Sequence, residues 1–154
     1  MRIVSRLMWI SLSAMVLFLP VCWGQQREAS VERGLFEAAN HDRRQQGLPP
    51  LKWNDALADA ARQHAEQMAR QRTLSHQLPK EASLPIRVGK AGVHHSWLSE
   101  NVAEGISASD INQQFMNSPH HRGNILDSDM DTMGVGVAES GGKWFAVEDF
   151  CKAK

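Results

Sequence analysis

Phe115-Met-Asn-Ser-Pro-His-His-Arg-Gly-Asn-Ile-Leu-Asp-Ser-Asp-Met-Asp-Thr-Met-Gly-Val-Gly136 is the stretch that decides how the chain is read. Ser118 followed by Pro119 spells a helix start: a hydroxyl to cap free N–H groups, then a ring whose φ already suits the first helical position. His120, His121 and Arg122 then fall in the first turn of a short helix, with Ile125 and Leu126 as its apolar anchor. The acidic turn Asp127–Asp131 leads into Met133-Gly-Val-Gly-Val137, which reads as a buried strand. Imidazoles in a helix's first turn beside a buried strand suggest a site.

Working outward, Gly134–Val137 and Trp144–Val147 pair as two strands across Ser140-Gly-Gly142, where a tight hairpin needs positive φ. Glu148-Asp-Phe150 ends the second strand, and residues 151–154 read as a tail. Upstream, Ser109 is expected to cap a helix over Asp110–Met116, with Ile111, Gln114 and Phe115 along one side. Before it, Ser99-Glu-Asn-Val-Ala103 and Gly105 form an extended, buried segment. Glu100 there needs a partner, because an unpaired carboxylate is costly to desolvate.

The first half reads as two helices. Ser30 can cap one carrying Val31, Leu35, Ala38 and Ala39, which Gly47 closes. Leu48-Pro-Pro-Leu51 is a buried connector into Trp53, and Asn54 caps the second helix. Its apolar face is Leu57, Ala60, Ala61, His64 and Met68. His64 on that face reads as a hydrogen-bonded core residue. His76 follows in a loop where packing does not demand it. Residues 87–92 suit a short helix, and His94-His95 reads as exposed loop, with metal ligation the lesser alternative.

At 154 residues the chain holds one domain, and 17 basic against 17 acidic residues argue against a general nucleic-acid binder. Residues 1–24 read as a secretory signal peptide: Arg2 and Arg6, then the uncharged run Leu7–Leu19, then Cys22-Trp-Gly24 as cleavage site. A lipid anchor at Cys22 is the alternative. Cleavage leaves Cys151 as the sole cysteine, and no other apolar run is long enough to span a bilayer. Residues 25–32 form a polar lead, 33–150 the domain.

The decisive stretch resembles the CAP superfamily (SCP, or cysteine-rich secretory protein-like) in its small bacterial form. That pattern is Asn-Ser-Pro-Gly-His-Arg-x-Asn-Ile-Leu, about ten residues, then Gly-Val-Gly. Asn117–Leu126 departs from it only by His120 in place of glycine. Asn40, Arg44, Gly47-Leu-Pro-Pro-Leu51, Leu57, Ala61 and Met68 also stand where those proteins put similar residues, as does Glu100-Asn-Val-Ala103. The resemblance implies an α+β fold, a three-layer α-β-α sandwich with a small antiparallel sheet and a cleft across it. In many eukaryotic members two histidines and two glutamates line that cleft. His76, Glu100 and His121 match three of them, and the second glutamate has no counterpart in Asp110–Pro119.

The expected function is therefore a secreted binding or interaction module. Its cleft at His76, Glu100 and His121 takes a small ligand or a metal such as zinc, with His120 a competing ligand. The partner is a small molecule or an extracellular or cell-envelope component. Two alternatives stand beside it: a metal-assisted hydrolase with Glu100 as catalytic base, and sterol or lipid binding by analogy of fold. There is no His-Glu-x-x-His helix, Gly-x-Ser-x-Gly elbow or catalytic cysteine pairing in the chain.

Overall fold

The computed structural model describes residues 21–154; the leader expected at residues 1–24 lies mostly outside them. The elements are α1 (Val21–Gln45), β1 (Lys52–Trp53), α2 (Asp55–Gln71), α3 (Leu84–Lys90), β2 (His95–Gly105), α4 (Ala108–Asn117), α5 (Pro119–Ile125), β3 (Thr132–Ser140) and β4 (Lys143–Ala153). The sheet runs β1-β3-β4-β2. It is mixed rather than wholly antiparallel, because the two-residue β1 lies parallel to β3. Helices α1, α4 and α5 cover one face and α2 the other, which is the expected three-layer α-β-α sandwich.

The glycines at 134 and 136 explain how closely the layers stack. Alternate residues of a strand share a face, and this pair faces α2. A Cβ on Gly136 would lie 2.1 Å from the Arg62 nitrogen, and one on Gly134 would lie 2.3 Å from that of Ala58. Side chains are absent because the helix backbone occupies their place. The facing surface of α2 is correspondingly small: Ala58, Ala61 and Ala65 are fully buried beside Leu57, His64 and Met68. Asn54 caps the helix, its Oδ1 accepting from Leu57 N at 2.8 Å.

Several expected boundaries move. α1 passes through Ser30 without a break and takes in the polar residues 25–29. Ser107, not Ser109, caps α4, its hydroxyl accepting from Asp110 N. Of Leu48–Leu51 only Leu51 is buried; Pro49 and Pro50 face solvent. β4 continues to Ala153, so Cys151 is no tail residue: it pairs with Leu98 and Thr132 and is fully buried. Gly141 and Gly142, at φ 62° and 79°, make the hairpin turn as expected.

The arginine that organises the first half is Arg43, where the sequence pattern pointed to Arg44. Arg44 is exposed. Arg43 is wholly buried and donates to the carbonyls of Pro49, Ile125, Asp127 and Met130. It thereby fastens α1 to the end of α5 and to the turn before β3. Burial lowers its pKa, and the nearby charge of Asp127 opposes that fall. Asn40, one turn earlier, exchanges two hydrogen bonds with the backbone of Leu51.

Candidate functional site

β2 is the edge strand nearest α3 and α5, and its residues alternate between the two layers. Val102 packs with α2's core, whereas Ala103 belongs to the core beneath α1 and α4. Glu100 therefore points to the α2 side, and Asn101 to the α5 side. Glu100 is 6% exposed, yet both its oxygens are engaged. Oε1 accepts from His76 Nδ1 at 2.9 Å, and Oε2 takes an Arg87 guanidinium N–H. Arg87 reaches it from α3 and also donates to the His76 carbonyl, which steadies the loop bearing that histidine.

Behind this pair lies a second tier. His64 is completely buried, with Nδ1 2.7 Å from Glu81 and Nε2 2.8 Å from the Ser75 carbonyl, so it is the satisfied core histidine expected. Glu81 also receives Leu78 N and Gln67, closing the loop under His76. Asp149 stands across from Glu100 in the β2/β4 register and is fully buried. Burial, then the charge of Glu100, pushes its pKa well above the ordinary carboxylate range. Of the two adjacent carboxyls, Glu100 is the one paired with a guanidinium, and burial favours the protonated form of Asp149.

On the other side, α5 starts as the sequence implied. Ser118 Oγ accepts from His121 N at 3.5 Å, a long cap, with Pro119 at the first helical position. Asn101 holds the helix from below, donating to the His121 carbonyl at 3.2 Å and to Glu148 Oε2 at 3.1 Å. Asn124 donates to Asn101 Oδ1 and to the Glu100 carbonyl. The His121 ring lies edge-on to Phe115, with centroids 5.3 Å apart, and 5.9 Å from His120.

An open cleft of about 360 Å³ crosses the edge between these two sides, lined by His76, Gln77, Leu84, Ser99, Glu100, His120 and Asn124. Of the three expected residues, His76 and Glu100 meet directly. His121 is half-buried against Phe115, and it is His120 that lines the cleft. The imidazoles of His76 and His121 are shifted in opposite directions. The hydrogen bond that His76 donates to Glu100 raises the pKa of His76, whereas burial and then the charges of His120 and His76 lower that of His121. Among the described residues no three His, Cys, Asp or Glu side chains converge as a metal-binding set. His94 is exposed and His95 opens β2.

Sequence reading missed Arg87, Asn101, Asn124 and the acids Glu148 and Asp149. One signal was present: two adjacent carboxyls between Val147 and Phe150, in a run otherwise apolar enough to be a central strand. Buried acids in such a place require either partners or protons.

A sandwich in this order is the fold of the cysteine-rich secretory class. The family model described as CAP, cysteine-rich secretory protein family, matches residues 36–150, and the chain belongs to that family. The uncharacterized protein YkwD of Bacillus subtilis is 32% identical over 117 residues, 75% of this chain and 46% of its own length. A second B. subtilis relative, the uncharacterized membrane protein YlbC, is 30% identical over 71% of this chain and 32% of its own. The chain thus spans less than half the length of these curated relatives. Among solved structures, an extracellular protein containing a SCP domain from Bacillus anthracis superposes with a TM-score of 0.80 at 27% identity. That match covers 87% of this chain and 44% of the other. An outer surface protein from Borrelia burgdorferi shares the fold, with a TM-score of 0.74 at 23% identity over 81% of this chain and 94% of its own. No helix of the described residues is long and apolar enough to cross a membrane.

Proposed function

We propose that this chain is an exported CAP-domain binding module whose ligand enters the cleft over Glu100 and is held by His76. The observation that carries this reading is the engagement of both Glu100 oxygens by His76 and Arg87. A carboxylate so occupied is a poor general base, because its lone pairs already have protons to hold. Its work here is to orient His76 and raise its proton affinity. His76 then presents Nε2 outward, and the remaining cleft groups near it, His120, Asn124 and Gln77, are hydrogen-bonding side chains. We place hydrolysis behind binding for this reason. The lipid alternative has one aliphatic side chain in the cleft lining, that of Leu84.

A second reading is favoured by the same pair. A carboxylate behind a histidine is the usual way to aim a metal-ligating nitrogen, and the lowered pKa of His121 favours the neutral form that a ligand must have. Zinc would then use His76 Nε2 and His121, with Glu100 as the group behind His76 rather than a ligand.

The two readings have opposite pH slopes. A protonated His76 donates to a carboxylate or phosphate, so such binding strengthens as pH falls through its raised pKa. A neutral His76 offers a lone pair, so zinc binding weakens over the same fall. Imidazole signals of His76, His120 and His121 followed by NMR during titration with acetate, and separately with zinc, test both. The small-ligand reading expects His76 and His120 to move with acetate, and His76→Ala to abolish the response. Zinc calorimetry on His76→Ala, His121→Ala and His120→Ala tests the metal: losing binding only in His120→Ala would overturn the assignment to His76 and His121. Silence of all three imidazoles toward both probes would sink the cleft as a binding site. Export is tested by N-terminal sequencing of protein from outside the cytoplasm, expected to begin near Gln25.

A further inference from the structure

Among the described residues β2 has a strand on one side only, so one row of its backbone groups faces the cleft. In an antiparallel pair, residues whose N–H and C=O groups meet the partner alternate with residues whose groups turn away. Three contacts fix the phase. The Glu100 carbonyl accepts from Asn124 at 3.3 Å, the Glu104 carbonyl accepts from Gln114 at 3.1 Å, and across β4 the Cys151 carbonyl accepts from Asp131 N. Leu98 and Glu100, opposite Cys151 and Asp149, therefore turn their N–H groups outward, whereas Ser99 is bonded to Phe150.

Two further observations lie on the same short stretch. Ser99 Oγ is buried in the cleft wall and has no partner among the described residues. Trp97, on the same side of the strand as Ser99, is 61% exposed. A bare ion or a small acid would use neither the backbone row nor the indole. An extended chain lying along the edge would use both.

We propose that the cleft takes an extended acidic peptide, which adds to the sheet beside Leu98–Glu100 and sets a carboxylate against His76. The acidic preference follows from charge. Glu100 is the one carboxylate lining the cleft, and Arg87 and His76 already engage it, so the ligand meets the imidazoles of His76 and His120. Main-chain hydrogen bonds then supply affinity, and alternate side chains supply choice, as in other strand additions. The incoming N–H replaces the Asn124 amide on the Glu100 carbonyl. This inference rests on the reading that the cleft binds a ligand, and narrows that ligand to one chemical class.

The probes are four blocked five-residue peptides, alternating threonine and valine around a central glutamate, glutamine, lysine or tryptophan. Each is added to the full protein at up to millimolar concentration, with amide exchange read by NMR. The glutamate peptide should bind best, and exchange at Leu98 and Glu100 should slow by about tenfold or more while Ser99 stays unchanged. Two N-methylated copies of that peptide carry the methyl groups on opposite alternate sets of amides. One copy should lose binding and the other keep it within about twofold, since only one set faces β2. His76→Ala should erase the preference for glutamate over glutamine. Equal binding of both methylated copies, or no binding by any of the four peptides, overturns the proposal. If acetate still moves His76 when no peptide binds, the peptide inference falls and the cleft reading stands; if acetate and zinc are also silent, both fall.

Discussion

Glu148→Gln should stabilise this protein, and more so as the pH rises. Glu148 is fully buried in the middle of β4, with one oxygen accepting from Asn101 and the other without a partner among the described residues. Burial, opposed in part by the Asn101 hydrogen bond, pushes its pKa up to about 8 from an ordinary value of 4.5. Between those values the folded chain holds a proton that the unfolded chain has released. Stability falls with rising pH wherever the native state binds more protons than the unfolded state, so this contribution is complete below about pH 4.5 and gone above about pH 8. At about 1.4 kcal/mol per pKa unit, the total lost is roughly 3–5 kcal/mol, a large share of the 5–15 kcal/mol typical of a domain. Glutamine keeps an oxygen for Asn101 and cannot ionise. Urea unfolding of both proteins from pH 5 to pH 8.5 gives the test, since the titrations of His76, His121 and Asp149 largely cancel in the difference. The variant's advantage should be near zero at pH 5 and grow by up to about 1.4 kcal/mol per pH unit. A difference that does not change with pH, or a variant weaker than wild type at pH 8, would refute the reasoning.

Gly136→Ala should cost about 3 kcal/mol or prevent folding, because its Cβ meets the α2 backbone at 2.1 Å. Gly123→Ala, with open space around it in α5, should gain about 0.5–1 kcal/mol, and thermal unfolding of the pair separates contact from composition. Arg43→Met strips the donor from four carbonyls and should cost more than about 4 kcal/mol. Hydrogen exchange should then show the end of α5 and the turn before β3 losing protection first. Ser118→Ala removes a cap whose bond is long, so the loss should be about 0.5–1 kcal/mol, with the fold intact by circular dichroism.

What could be read from the sequence had a local cause. The Ser118-Pro119 helix start, the Asn54 cap, the glycine hairpin and the apolar face of α2 are all set by neighbours within a few residues. The glycines at 134 and 136 marked a strand, though why they are glycine depends on a helix 75 residues earlier in the chain. Long-range partners escaped. Nothing near residue 87 says that its guanidinium crosses to Glu100, and nothing in Asp-Arg-Arg44 says which arginine turns inward. The site divided in the same way. His76 and Glu100 come together, but whether His120 or His121 faces the cleft depends on the rotation of α5, which Asn101 sets from β2, about twenty residues away, through the His121 carbonyl and the Asn124 amide.

The position of β4 has a consequence for how the protein is made. It lies between β3 and β2, yet it is the last of the described strands in sequence, and among the described residues β2 has no other partner in the sheet. As the chain emerges from the ribosome, β2 waits some forty residues for its neighbour, and α1 waits longer still for the carbonyls that Arg43 will bind. Pairing over such separations delays folding until the entropy of closing the loops is met. No sheet spanning both edges exists until residues 143–153 have been synthesised, so a nascent chain stays unfolded almost to that point. A polypeptide with this order of assembly remains slack enough to be threaded through a membrane pore, which suits the export proposed for it.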